Sequence, residues 1–177
     1  MTMTKGLSAL AVCFGSLLAF GNARGDDGAE RLKTRLEGFQ EVPAIASGGT
    51  AVFRAKIAED DQSFEWELNF SGLMNVTQAH IHIGQLSVNG AIVIFLCTNL
   101  GNGAPDPTKI QACPTQAGSV TGKATAADVI AVPAQGVAGG GFATVLDAIR
   151  SGVAYANIHT SAHTGGEIRG QIHHQGQ

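Results

Sequence analysis

The sequence predicts an all-β protein, a sandwich or barrel of short strands with one or two short helices. Three observations carry this. Apolar residues recur with a period of two in several segments, as on a half-buried strand. Glycine supplies 24 of 177 residues and is scattered between apolar runs, as tight turns require. Turn-forming clusters interrupt the chain at short intervals, with little helical periodicity between them.

Taken in order, the chain opens with Lys5 and an apolar stretch from Leu7 to Phe20, followed by Gly21-Asn22-Ala23. Small residues at 21 and 23 fit a signal peptidase site, so residues 1–23 are expected to be a cleaved signal peptide and the product to be exported, periplasmic or secreted. The apolar run is too short for a permanent membrane span. Cys13 follows Leu10-Ala11-Val12, a weak lipoprotein-like pattern, because valine is a poor residue before a lipidated cysteine. Residues 24–34 are expected to be a lead-in, 35–174 one domain and 175–177 a loose tail. The mature chain would carry ten Lys and Arg against fourteen Asp and Glu, a net charge of −4. With no basic run and no interleaved aromatics, no nucleic-acid partner is expected.

"GTAVFRAKI" alternates, with Ala51, Phe53, Ala55 and Ile57 inward, and "SFEWELNF" does so with Phe64, Trp66, Leu68 and Phe70 on one face. The polar "EDDQ" between them predicts a hairpin. "QAHIHI" places Ala79 and Ile81 on one side and His80 and His82 on the other, away from the core. "AIVIFLC" is a continuous apolar run, as for a strand covered on both faces. "GSVTGKAT" reads as another strand, "TAADVI" and "ATVLDAIRSG" as short helices, the second stopping at Gly152. "VAYANIHT" and "EIRGQIHH" then read as two strands joined by "SAHTGG". An open sheet edge offers a route to a homodimer.

Cys97 and Cys113 flank a turn-rich segment, and in an oxidising compartment they read as one disulfide. The rival reading is a pair of soft metal ligands, but the spacing is not that of a C-x-x-C motif. The histidines carry the candidate chemistry. His80 and His82, two apart on a strand, leave the same face at a spacing that closes on one metal ion, and His159 and His163 form a second pair downstream. If the two pairs meet, four imidazoles converge, with Tyr155 and Asn157 on the face of His159 and able to orient the ligands. The bland reading is an incidental surface H-x-H with Tyr155 and Asn157 serving packing. Glu167 is a further candidate, with a turn contact or an ion pair to Arg169 as the plainer roles; His173 and His174 fall on a frayed end. No nucleophile elbow, P-loop or H-E-x-x-H pattern occurs, so no catalytic residue is assigned.

"LEGFQEVP", "AHIHIG" and "NIHTSAHTGGEIRGQI" resemble the three signature segments of the CHRD (chordin) domain family, over about Leu36 to Ile172. The resemblance implies an immunoglobulin-like or Cu,Zn superoxide dismutase-like Greek-key β-sandwich. Many members read A-H-I-H followed at once by Gly-Pro, and later H-P-G-G-E-I-R-G-Q; here Ile83 precedes Gly84 and Thr164 takes the proline position. All four histidines stay in register. A nitrogen-only donor set in oxidising surroundings favours copper, with zinc as the alternative. The expected function is copper binding for storage, delivery or redox defence. The alternatives are a metal-free module that binds a protein partner and a superoxide-consuming oxidoreductase.

Overall fold

A computed structural model describes residues 29–175. The expected signal peptide, residues 24–28 of the lead-in and residues 176–177 lie outside the described residues. Nine strands, β1 (Arg31–Glu37), β2 (Thr50–Ile57), β3 (Ser63–Ser71), β4 (Val76–Ile83), β5 (Ala91–Thr98), β6 (Gly118–Thr125), β7 (Ala154–Thr160), β8 (Ile168–Gln171) and β9 (His173–His174), accompany one helix, α1 (Phe142–Arg150). They form an antiparallel sheet in the order β5-β4-β7-β8-β1-β2-β3-β6, with β9 added beside β1. The protein is all-β, as the period-two pattern predicts. No helix among the described residues is long and apolar enough to cross a membrane.

The sheet curls until its two terminal strands face each other. The Gln111 side chain spans the gap, its Nε2 donating to the carbonyls of Thr121 on β6 at 2.8 Å and Leu96 on β5 at 3.4 Å. Other chain segments use the outer edge of β5: Thr98 N donates to Gln111 O, Ile130 N to Val93 O and Ala91 N to Gln135 Oε1, at 2.9, 3.0 and 3.0 Å. Edge groups satisfied within the chain do not template a second copy. The edge on which a homodimer was expected is therefore covered, and no described residue supports one.

Inside the curl, the inward residues read from β2 and β3 all reach the core: Ala51, Phe53, Ala55, Ile57, Phe64, Trp66, Leu68 and Phe70 are buried. Helix α1 closes one end with Phe142, Val145, Leu146 and Ile149, and Phe142 stacks on Phe64 at 5.7 Å between ring centroids. Gly152, at φ 70, ends the helical segment as expected. Cys97 and Cys113 form the expected disulfide.

Three expectations change. "TAADVI" makes only a 3-10 turn at Ala126–Asp128, capped by Thr125 and Asp128, because Val129 is drawn into the core and Ile130 bonds to β5. β1 begins at Arg31 and so takes in residues 31–34 of the stretch read as a lead-in. His173 and His174 are not frayed: they pair with Lys33 and Leu32, and His174 Nδ1 lies 3.4 Å from Glu30 Oε1.

A candidate metal centre on the roofed face of the sheet

Alternation along β4 sends Ala79 and Ile81 into the core and His80 and His82 to the opposite face, as read from the sequence. That face, however, is not open. His80 is 1% and His82 7% exposed, so the bland reading of an incidental surface H-x-H does not hold. The strand pattern sees only one strand, whereas the cover comes from two segments distant in sequence, residues 38–47 and 84–90. Asn89 Nδ2 ties one to the other through Val42 O at 2.9 Å.

Register assembles the rest of the face. His80 stands opposite Asn157 and His82 opposite Tyr155 on β7, and Asn157 and Tyr155 in turn stand opposite Arg169 and Gln171 on β8. On the other flank the β4–β5 register shifts between Ala79 and His80 and again between Ile81 and His82. Such bulges re-aim side chains locally. They also explain why "AIVIFLC" lacks alternation: Val93, Ile94, Leu96 and Cys97 are all buried, while Phe95 turns its ring edge to His80 at 4.4 Å.

His80, His82 and His159 form a group in which one imidazole nitrogen from each lies within 4.8 Å of the others. His82 Nδ1 donates to Gly90 O and His159 Nδ1 to Thr164 O, both at 3.0 Å. A carbonyl only accepts, so in both rings Nδ1 carries the proton and Nε2 keeps a lone pair. His80 Nδ1 lies 3.1 Å from that His159 Nε2 and donates to it, which leaves His80 Nε2 as a lone pair too. The Nε2 atoms of His80 and His82 are buried with no hydrogen-bond partner among the described residues. A buried polar atom left unpaired costs about 1–3 kcal/mol, and a cation satisfies both lone pairs at once.

Burial, helped by the neighbouring His159 and His82, pushes His80 down to about 2, and burial pushes His82 down to about 4 against the support of the Gly90 carbonyl. His159, partly exposed at the rim, is also lowered by burial, with the Thr164 carbonyl opposing. Neutral imidazole is the form that ligates. His80 and His82 therefore each offer a free Nε2 lone pair to a divalent ion of the zinc or copper kind, and His159 Nε2 adds a third when it gives up the bond from His80 Nδ1.

Of the four histidines expected to converge, the fold joins three. His163 stands outside the group, its main chain occupied in closing the β7–β8 turn with Thr160 and Gly166. Tyr155 lies against His82: its ring stacks on the imidazole at 4.6 Å and 7°, and its hydroxyl accepts from Gly90 N at 3.1 Å. Asn157 shares the face but holds no histidine; its Nδ2 donates to Glu41 Oε1 and to Ile168 O. Glu167 reaches neither the histidines nor Arg169, since its carboxylate accepts from Ser47 Oγ and Thr160 Oγ1, both at 2.6 Å. It locks residues 38–47 to the turn after β7.

Two charged residues proved more central than their sequence positions showed. Arg169 is 1% exposed, lies 3.5 Å from the Tyr155 ring centroid and donates to the carbonyls of Gln85 at 3.0 Å and Val88 at 2.9 Å. It pins the 84–90 segment whose Gly90 carbonyl orients His82. Glu41, buried beside Asn157, is raised to about 7 by desolvation, with the Arg169 charge opposing. The signal was present, an acid in "LEGFQEVP" and a base in "EIRGQI", but nothing local says that the two segments meet.

The CHRD domain model matches residues 32–172, and the chain belongs to the CHRD domain family. No curated protein and no solved structure matches it.

Proposed function

We propose that this is an exported metal-binding protein whose CHRD domain holds one copper ion through His80, His82 and His159, serving copper storage, delivery or redox defence. The observation that carries the reading is the convergence of three neutral imidazoles around two buried, unpartnered nitrogen atoms. Two rings are already oriented by main-chain carbonyls, the outer support that metal-binding histidines need. Nitrogen donors without a thiolate suit copper and zinc, and an oxidising exterior favours copper. Export rests on residues 1–23.

Elemental analysis of the mature, untagged protein should find near-stoichiometric copper, with zinc as the alternative. None should remain in a His80→Ala/His82→Ala variant, while His163→Ala should keep its metal. Full retention in the double variant would overturn the site. Superoxide consumption above that of free copper would move the protein to the oxidoreductases.

A second reading is a metal-free interaction module, favoured by the 3.1 Å contact of His80 with His159 across β4 and β7. It expects no metal in the parent even after exposure to copper, and unchanged folding after chelation.

A further inference from the structure

The outer face of the sheet divides where Glu37 of β1 stands opposite Arg169 of β8. On the β4-β7-β8 side it is roofed and holds the histidines. On the β1-β2-β3-β6 side its side chains are exposed and heavily charged. Arg31, Lys33 and Arg35 on β1, Arg54 and Lys56 on β2 and Lys123 on β6 all point outward there. They are six of the ten basic residues that follow the expected leader, in a chain of net negative charge.

Register tightens the cluster. Arg31 stands opposite Lys56, and Lys33 opposite Arg54. Like charges directly opposite each other repel, and glutamates on the next strand offset that repulsion. The next strand supplies Glu65 opposite Lys56 and Glu67 opposite Arg54, and Lys123 lies beyond Glu65. A groove of about 540 Å³ runs over this face, lined by Arg31, Arg54, Lys56, Glu65, Glu67 and Lys123. Same-face cations recur about 5 Å apart across strands and about 7 Å apart along them, a ladder suited to an extended chain of charges.

We infer that this groove binds an acidic polysaccharide, a linear polymer with carboxylate or sulfate groups set among hydroxyls. The mixture of charges selects it. Lys and Arg pair with the anionic groups, while Glu65, Glu67 and Thr121 accept hydrogen bonds from hydroxyls, which a uniformly anionic polymer does not donate. The groove's one aromatic, Trp66, is buried with its ring packed against Gly122, so it gives no platform for stacking bases. Among the described residues, none of the large exposed hydrophobics, Phe39, Met74, Leu86, Val88 and Leu100, stands on β1, β2, β3 or β6, so the face offers no apolar band for a lipid surface. This surface is independent of the histidine site.

The test is titration of the full mature protein with heparin, alginate, neutral dextran, poly-L-glutamate and a single-stranded oligonucleotide, read by the fluorescence of Trp66, the chain's sole tryptophan. Heparin or alginate should bind, and the affinity should fall steeply with salt as counterions are released. An Arg54→Gln/Lys123→Gln variant, which removes two cations that line the groove, should bind about tenfold or more weakly, with its metal content and its far-ultraviolet circular dichroism those of the parent. The His80→Ala/His82→Ala variant should bind like the parent. Equal affinity in the Arg54/Lys123 variant, equal binding of dextran, or tighter binding of poly-L-glutamate or the oligonucleotide would overturn the inference.

Discussion

Burial sets the chemistry of individual residues here, and it acts in opposite senses on bases and acids. His80 and His82 titrate near 6.5 when unfolded but are held at about 2 and about 4 in the fold. Below pH 6.5 the unfolded chain takes up protons that the folded chain refuses, so these residues withdraw stability as pH falls toward 4. Glu41 does the reverse. Its folded value of about 7 lies above its unfolded 4.5, so its contribution is full below pH 4.5 and is lost as pH rises through about 7. The urea midpoint of the metal-free protein should therefore fall between pH 6.5 and 4.5. Glu41→Gln, which still accepts from Asn157, should steepen that fall, because Glu41 opposes the histidines there, and should remove the decline that Glu41 adds as pH rises through about 7; a variant profile that overlays the parent's would contradict the burial account. The alternation that sends His80 and His82 to one face was legible, since a strand's side-chain period is two. Their protonation was not, because the groups packed on them, Phe95, Tyr155, His159 and the Gly90 carbonyl, come from other parts of the chain.

Among elements, the 84–90 segment decides the site, and Arg169 decides the segment. Arg169→Met fills similar space but leaves the carbonyls of Gln85 and Val88 without their donor. A buried carbonyl left without its donor costs about 1–3 kcal/mol. Because the same segment carries the Gly90 carbonyl that orients His82, metal affinity should fall by about 10–100-fold, as for lost outer-shell support elsewhere. Urea unfolding and metal titration of the variant measure the two effects separately. Unchanged affinity beside lowered stability would mean that His82 does not rely on this segment. The strands themselves were legible wherever one face is polar, as in β2 and β3. "AIVIFLC" gave its location but not its bulges, because two register shifts against β4 leave no simple period to read.

For the molecule as a whole, closure of the sheet is the organising event. The Cys97–Cys113 disulfide and the Gln111 side chain both act at the seam between β5 and β6. The disulfide closes a loop with a sequence separation of 16, worth on the order of 3 kcal/mol in the chain-entropy model. Thermal unfolding with and without reductant should show a drop of several degrees in midpoint. A midpoint unmoved by reduction, with both thiols titrating, would show that packing alone holds the seam. Pairing of β1 with β2 brings the chain's scattered cations side by side, although the sequence contains no basic run. Strand spacing puts Arg31, Lys33 and Arg35 at alternate positions, and only the β1–β2 register sets them against Arg54 and Lys56.

The sequence by itself determined the class of fold, most of the strands, the family and three of the residues that meet at the candidate metal centre. All of these rest on local periodicity or on short linear motifs. The tertiary structure alone decided that His163 stays out, that Arg169 and Glu41 come in, and that one half of the outer face is roofed while the other is bare. Those outcomes depend on which distant segments pack over which strand, and on water excluded by that packing, neither of which leaves a periodic trace in the chain.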